Sequence, residues 1–142
     1  MPLQFPTFPS KGLTLPFMYS LAQGMNVRVA TCTLPDTICG AYDDQTRTIL
    51  IDRSLNARQE RCTLCHELVH AWYGDNMCSN AARNEVRARR ICARSLLTEH
   101  QVRKAQRIYG DDLWHITVDC DVTIAVLTDW MAMRKGDLVS QK

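Results

Sequence analysis

No stretch of this 142-residue sequence approaches the roughly 20 consecutive apolar residues that a membrane-spanning helix needs. Its N-terminus lacks a basic segment followed by an apolar one, so a secretory signal is not expected. Charge of one sign is also missing. The formal net charge of +2 is too small to argue for a nucleic-acid partner. There is no internal repeat and no low-complexity block. An even cysteine count is lacking too: the seven stand at 32, 39, 62, 65, 78, 92 and 120. With no export signal, a disulfide framework is disfavoured and a reducing, cytoplasmic setting is expected. Most of these thiols then read as small buried hydrophobes. With 46% hydrophobic and 23% charged residues, the composition is that of one soluble, globular domain.

Proline is scarce after residue 16. Four of the five lie at 2, 6, 9 and 16, so residues 1–14 read as an extended tail, and Pro16 suits the first turn of a short helix stopped by Gly24. Val27–Thr31 alternates as a strand does. Pro35-Asp36 marks a turn, Ile38–Tyr42 a second strand, and Thr46–Ile51 the clearest strand, rich in β-branched residues. Short connections suggest an antiparallel meander of three strands. The chain then turns helical. Asn56 with Gln59 has capping-box spacing for a helix over 57–73 that Gly74 ends. Ser79 or Asn80 can cap a second helix reaching Leu97. Thr98 with Gln101 repeats the box for a third, ended by Gly110. Asp119 can cap a fourth that runs to about Arg134. Strands first and helices after make an α+β domain over 15–136, with 137–142 as a C-terminal tail.

His66-Glu67-Leu68-Val69-His70 reads H-E-x-x-H on the first long helix. Four residues turn a helix by about 400°, so both imidazoles lie on one face, one turn apart. Both can then reach one ion at the roughly 2.0–2.1 Å of a zinc–nitrogen bond. Glu67 lies beside that line, where a general base must stand to take a proton from a metal-bound water. Leu68 and Val69 point the other way and can anchor the helix.

A catalytic zinc needs a third protein ligand. No histidine follows at the spacing of the long H-E-x-x-H-x-x-G-x-x-H pattern. Glu85 is the first choice, because a helix hairpin would bring it level with His70 and place Ala88 and Cys92 on the same inward face. Asp75, just past the first helix, is the runner-up. His100 and His115 are the remaining imidazoles.

Arg61–His70, followed by Glu85-Val86 opening an Arg- and Ala-rich helix that ends Ser95-Leu96-Leu97, resembles the ImmA/IrrE-type metallopeptidases. Gly40-Ala41-Tyr42 and the strand Thr48–Asp52 upstream are similar to the family's usual run. The resemblance spans about residues 24–133 and is strongest over 46–97. It implies a minimal zincin-like core in which His66, His70 and Glu85 bind zinc and Glu67 is the base. It also implies a protein substrate, typically a helix-turn-helix repressor, and a cytoplasmic, bacterial or phage-encoded setting. Two departures stand out: Leu96-Leu97 is followed by Thr98 where relatives often carry a Met-Pro end, and Cys65 stands where small residues are common.

Other readings compete for the same residues. Cys62-x-x-Cys65-His66 also spells a c-type haem attachment motif, and Cys62, Cys65 and His70 could form a structural zinc site. A non-catalytic regulator that binds a transcription factor would use the same groove. Arg83, Arg87, Arg90 and Arg94 form a stripe at helical spacing. It reads first as a solvated face and second as a surface for nucleic acid or an acidic partner. Tyr73 is a candidate donor to a developing oxyanion. Thr46–Ile51, if it lies at a sheet edge, could hold an extended substrate by strand addition.

Overall fold

In a computed structural model that describes residues 4–6, 12–76 and 80–135, Asn56 opens helix α2 (Ala57–Tyr73) with a complete capping box. The Gln59 N–H donates to the Asn56 side chain at 2.8 Å, and the Asn56 N–H donates to the Gln59 side chain at 2.9 Å. Gly74 ends α2 at φ 64°, a left-handed conformation that suits glycine. Thr98 and Gln101 form the same box at the start of a later helix (Glu99–Tyr109). These local devices fall where the sequence puts them.

The sheet departs from the expected meander. Strands β1 (Arg28–Cys32), β2 (Gly40–Asp43) and β3 (Thr48–Asp52) lie in the order β1-β3-β2, with β1 parallel and β2 antiparallel to β3. The reason lies in the segment 33–39. The Asp52 carboxylate accepts the Leu34 N–H at 2.8 Å, and the Cys39 carbonyl accepts the Asp52 N–H at 2.8 Å. The connection thus crosses over the end of β3, and β2 returns along its far side. Turn 44–47 is tight, tied by the Gln45 N–H to Asp43. Central β3 buries Ile49 and Ile51, while β2 is left as an edge.

Helix α1 (Leu15–Gly24) precedes the sheet, and α3 (Ala81–Leu96), α4 (Glu99–Tyr109), α5 (Leu113–Cys120) and α6 (Ile124–Lys135) follow α2. One continuous core joins Ile49 and Ile51 to Leu64, Leu68 and Val69 of α2, Ala88 and Leu96 of α3, and Leu127 and Trp130 of α6. Leu68 and Val69 are fully enclosed, as their positions in the motif require. Burying each such side chain is worth about 1.5–3 kcal/mol, so the back of the motif helix is firmly held.

Three expectations need correction. Asn80 precedes α3 but makes no side-chain cap; it adopts φ 55°, and Ser79 lies outside the described residues. The last helix does not start at Asp119. Asp112 caps a separate α5, Asp121 ends it at φ 58°, and α6 starts only at Ile124, so one expected helix is two. Parts of the expected N-terminal tail are built into the domain. Phe5 is buried and meets Trp72 edge to face with centroids 5.6 Å apart. Leu13 is buried, and its N–H donates to the Ser95 carbonyl at 2.9 Å. Residues 1–3, 7–11 and 136–142, with the expected C-terminal tail, lie outside the described residues.

Gly12 marks how closely this segment approaches α3: a Cβ there would stand 2.1 Å from the Leu96 carbonyl oxygen. Gly12→Ala is expected to destabilise the fold by about 1–3 kcal/mol, the range for forced overpacking, read as a lower urea midpoint.

Candidate metal centre

His66 and His70 sit one turn apart on α2 with ring centroids 4.9 Å apart. Their Nε2 atoms are separated by 3.2 Å. The Glu85 carboxylate, from the first turns of α3, closes the group: Oε2 is 2.9 Å from His66 Nε2 and Oε1 is 3.2 Å from His70 Nε2. All three donor atoms lie within 4.8 Å of one another, a set that could hold a metal ion. Tetrahedral zinc with bonds of about 2.0–2.1 Å would space its ligands by roughly 3.3 Å, close to what these side chains already show. Glu85 therefore stands level with His70 across the two helices, as the hairpin reading expected.

The electrostatics fit a cation site. Hydrogen bonds with His66 and then His70 hold the Glu85 carboxyl well below the usual carboxylate range. Burial disfavours the charged form of His70, but hydrogen bonds with Glu85 and Asp75 outweigh it and raise its pKa. Glu67 is only 8% exposed, and burial raises its pKa against the opposing pull of His66 and His70.

Two clefts meet at this group. One, of about 320 Å³, lies between β2 and the helix pair and is lined by Tyr42, His66, Glu67, His70, Asn84 and Glu85 among others. The other, of about 560 Å³, continues past His66, Glu67 and Glu85 to Cys62, Thr63, Thr123 and Ala125. Gly40, at the start of β2, lines both. A Cβ there would come 2.6 Å from Thr63 Cγ2 and 3.4 Å from Glu67 Cγ. The glycine lets the strand lie directly against the motif helix. A glycine opening a strand is a visible signal for such an approach, but Gly40 drew no role from the sequence. A third depression, near Arg28 and Arg47, shares no residue with the group.

The structure reassigns the other candidates. Asp75, the alternative ligand, faces the opposite nitrogen: its Oδ2 lies 2.8 Å from His70 Nδ1. His115 pairs with Asp112 and stacks on Tyr109, and neither it nor His100 belongs to the group. Tyr73 lies under the Arg87 guanidinium, 4.0 Å from its ring centroid, and lines neither cleft, so the oxyanion role has no geometric support. Arg87 in turn pairs with Asp75, so the expected stripe is not uniformly solvated, although Arg83 and Arg94 are exposed.

Cys65 is fully buried and Cys62 nearly so, with Cys62 Sγ accepting the Thr123 N–H at 3.4 Å. Neither presents a thiol to a haem, and neither joins the donor group. Strand addition cannot use Thr46–Ile51 as expected, because β3 is paired on both sides; β2 is the edge that borders the clefts.

Comparison with known families places this geometry. Residues 22–127 match the model of a peptidase family described as the IrrE N-terminal-like domain. No curated protein sequence matches the chain.

Proposed function

From the chain's membership of this IrrE N-terminal-like peptidase family, we propose that it is a zinc-dependent endopeptidase acting on a protein, with a helix-turn-helix repressor as the substrate suggested by the family resemblance. The carrying observation is the convergence of His66, His70 and Glu85 within 4.8 Å beside a buried Glu67. The three side chains would hold the metal. Zinc bound there would polarise a carbonyl and lower the pKa of a coordinated water to about 7. Glu67 would take a proton from the attacking water and pass it to the leaving amine. The free edge of β2 holds the substrate in extended form through its backbone, and the clefts on both sides of the group receive its side chains.

Action at a substrate's C-terminus does not fit the lining. No lysine or arginine lines either cleft among the described residues, so none is there to bind a terminal carboxylate. No helix among the described residues is long and apolar enough to cross a membrane. A cytoplasmic, bacterial or phage-encoded protein is in keeping with the family resemblance.

Purified protein is expected to carry about one zinc per chain, and His70→Ala to lose it, by metal analysis. Stripping the metal with a chelator should stop cleavage of a co-encoded repressor, and zinc should restore it. Tight binding of that repressor without any product by mass spectrometry, in metal-loaded protein, would favour a non-catalytic regulator instead.

A further inference from the structure

Asp75 and Arg87 take no part in the proposed reaction, yet they form a polar cluster directly behind it. We propose that they act as a clamp that positions His70 and Glu85, so that the strength of metal binding depends on two residues outside the ligand set. This inference rests on the metal-binding reading above.

Asp75 is tied to His70 twice. Its N–H donates to the His70 carbonyl at 2.9 Å, and its Oδ2 lies 2.8 Å from His70 Nδ1. An ionised carboxylate only accepts, so Nδ1 presents its hydrogen to Asp75, and Nε2 is the nitrogen left to face a metal. Nε2 is the atom that faces His66 and Glu85. The ring is thereby held in the orientation a metal ligand needs. The other oxygen of Asp75 accepts from Arg87 Nη2, and the side chain is only 9% exposed. With one oxygen engaged by each neighbour, the carboxylate is not free to swing round and serve as a ligand itself.

The second half of the clamp joins the two helices. Tyr73 is the last residue of α2, and its ring lies under the Arg87 guanidinium. Arg87 stands two residues beyond Glu85 on α3. The left-handed turn at Gly74 brings Asp75 back to this point. A connected set therefore runs from His70 through Asp75 and Arg87 to the Tyr73 ring. It fixes the end of α2 that carries one ligand against the turn of α3 that carries another.

The test is zinc affinity of the full-length protein, by competition with a chromophoric chelator, with the His70 Nδ1–H followed by NMR on the zinc-loaded protein. Asp75→Ala should weaken zinc about 10- to 100-fold, the range for loss of such an orienting partner. Asp75→Asn keeps a neutral acceptor for Nδ1–H and should fall between Asp75→Ala and wild type. Arg87→Met should also weaken zinc, with His70 in place but less constrained. In the spectra, the His70 Nδ1–H should be protected from exchange in wild type and exchange faster in Asp75→Ala, a change that a merely structural residue would not cause. If Asp75→Ala does not fold, Asp75→Asn and Arg87→Met carry the test. Wild type that binds zinc, with variants binding it equally well and an unchanged Nδ1–H exchange, would overturn the clamp alone. Wild type that binds no zinc would overturn the proposed function and the clamp together.

Discussion

Glu67→Gln is expected to lower kcat/KM for repressor cleavage by about 10²- to 10⁴-fold, the usual contribution of a positioned general base, while the zinc content stays at the wild-type level. The two parts of this expectation come from different atoms. Metal retention depends on His66, His70 and Glu85, which the substitution does not touch. Loss of cleavage follows because an amide has the volume of the carboxylate but no basic oxygen at neutral pH. The site makes this a clean comparison. Glu67 is enclosed under β2, with its Cγ close to Gly40, so a residue of the same shape is needed to avoid moving the strand. Burial already disfavours the charge on Glu67, so the variant should melt no lower than wild type, which separates lost chemistry from lost structure. Parallel kinetics and metal analysis check it. Wild-type cleavage rates in zinc-loaded Glu67→Gln would place the base elsewhere and remove the mechanism proposed here.

Replacement of Arg61 is expected to have the largest effect on stability. This side chain is buried, and backbone carbonyls hold it. Nε donates to Leu13 O at 2.9 Å, Nη2 to Leu96 O at 3.1 Å and Nη1 to Asp121 O at 2.6 Å. These oxygens belong to three separate places: the segment before α1, the end of α3 and the residue that ends α5. Helix ends leave carbonyls without partners in the helix, and one guanidinium with its fan of donors serves two of them together with Leu13. Arg61→Met keeps much of the apolar stem but orphans all three. At about 1–3 kcal/mol for each buried carbonyl left unpaired, less what entering water recovers, the loss should be about 3–5 kcal/mol. Against a total of about 5–15 kcal/mol for an ordinary domain, that leaves little margin. Arg61→Lys should recover only part of it, since a single ammonium cannot reach three divergent acceptors. Urea denaturation of the three proteins checks the order. A midpoint for Arg61→Met within error of wild type would show that water replaces the guanidinium without cost.

The two predictions rest on residues six positions apart in the same helix, yet they differ in how visible they are in the sequence. Glu67 announces itself through its neighbours: the chemistry of H-E-x-x-H lies in a repeat of one helical turn, and helical geometry is local. Arg61 does not. Its role exists only because Leu13, Leu96 and Asp121 converge on it from distant parts of the chain.

The same division runs through the molecule. The sequence by itself determined the motif helix, its capping box and its glycine stop, the β-branched central strand, and the choice of Glu85 to meet the two imidazoles, because each depends on side chains a few residues apart or on the length of one helix hairpin. Only the tertiary structure decided that β2 rather than β3 borders the clefts, that Asp75 stands behind His70 instead of beside Glu85, and that Phe5 and Leu13 belong to the core. Those outcomes depend on where a connection crosses the sheet and which nitrogen of a ring a carboxylate reaches, and no periodicity along the chain encodes distances between segments that meet only once folded.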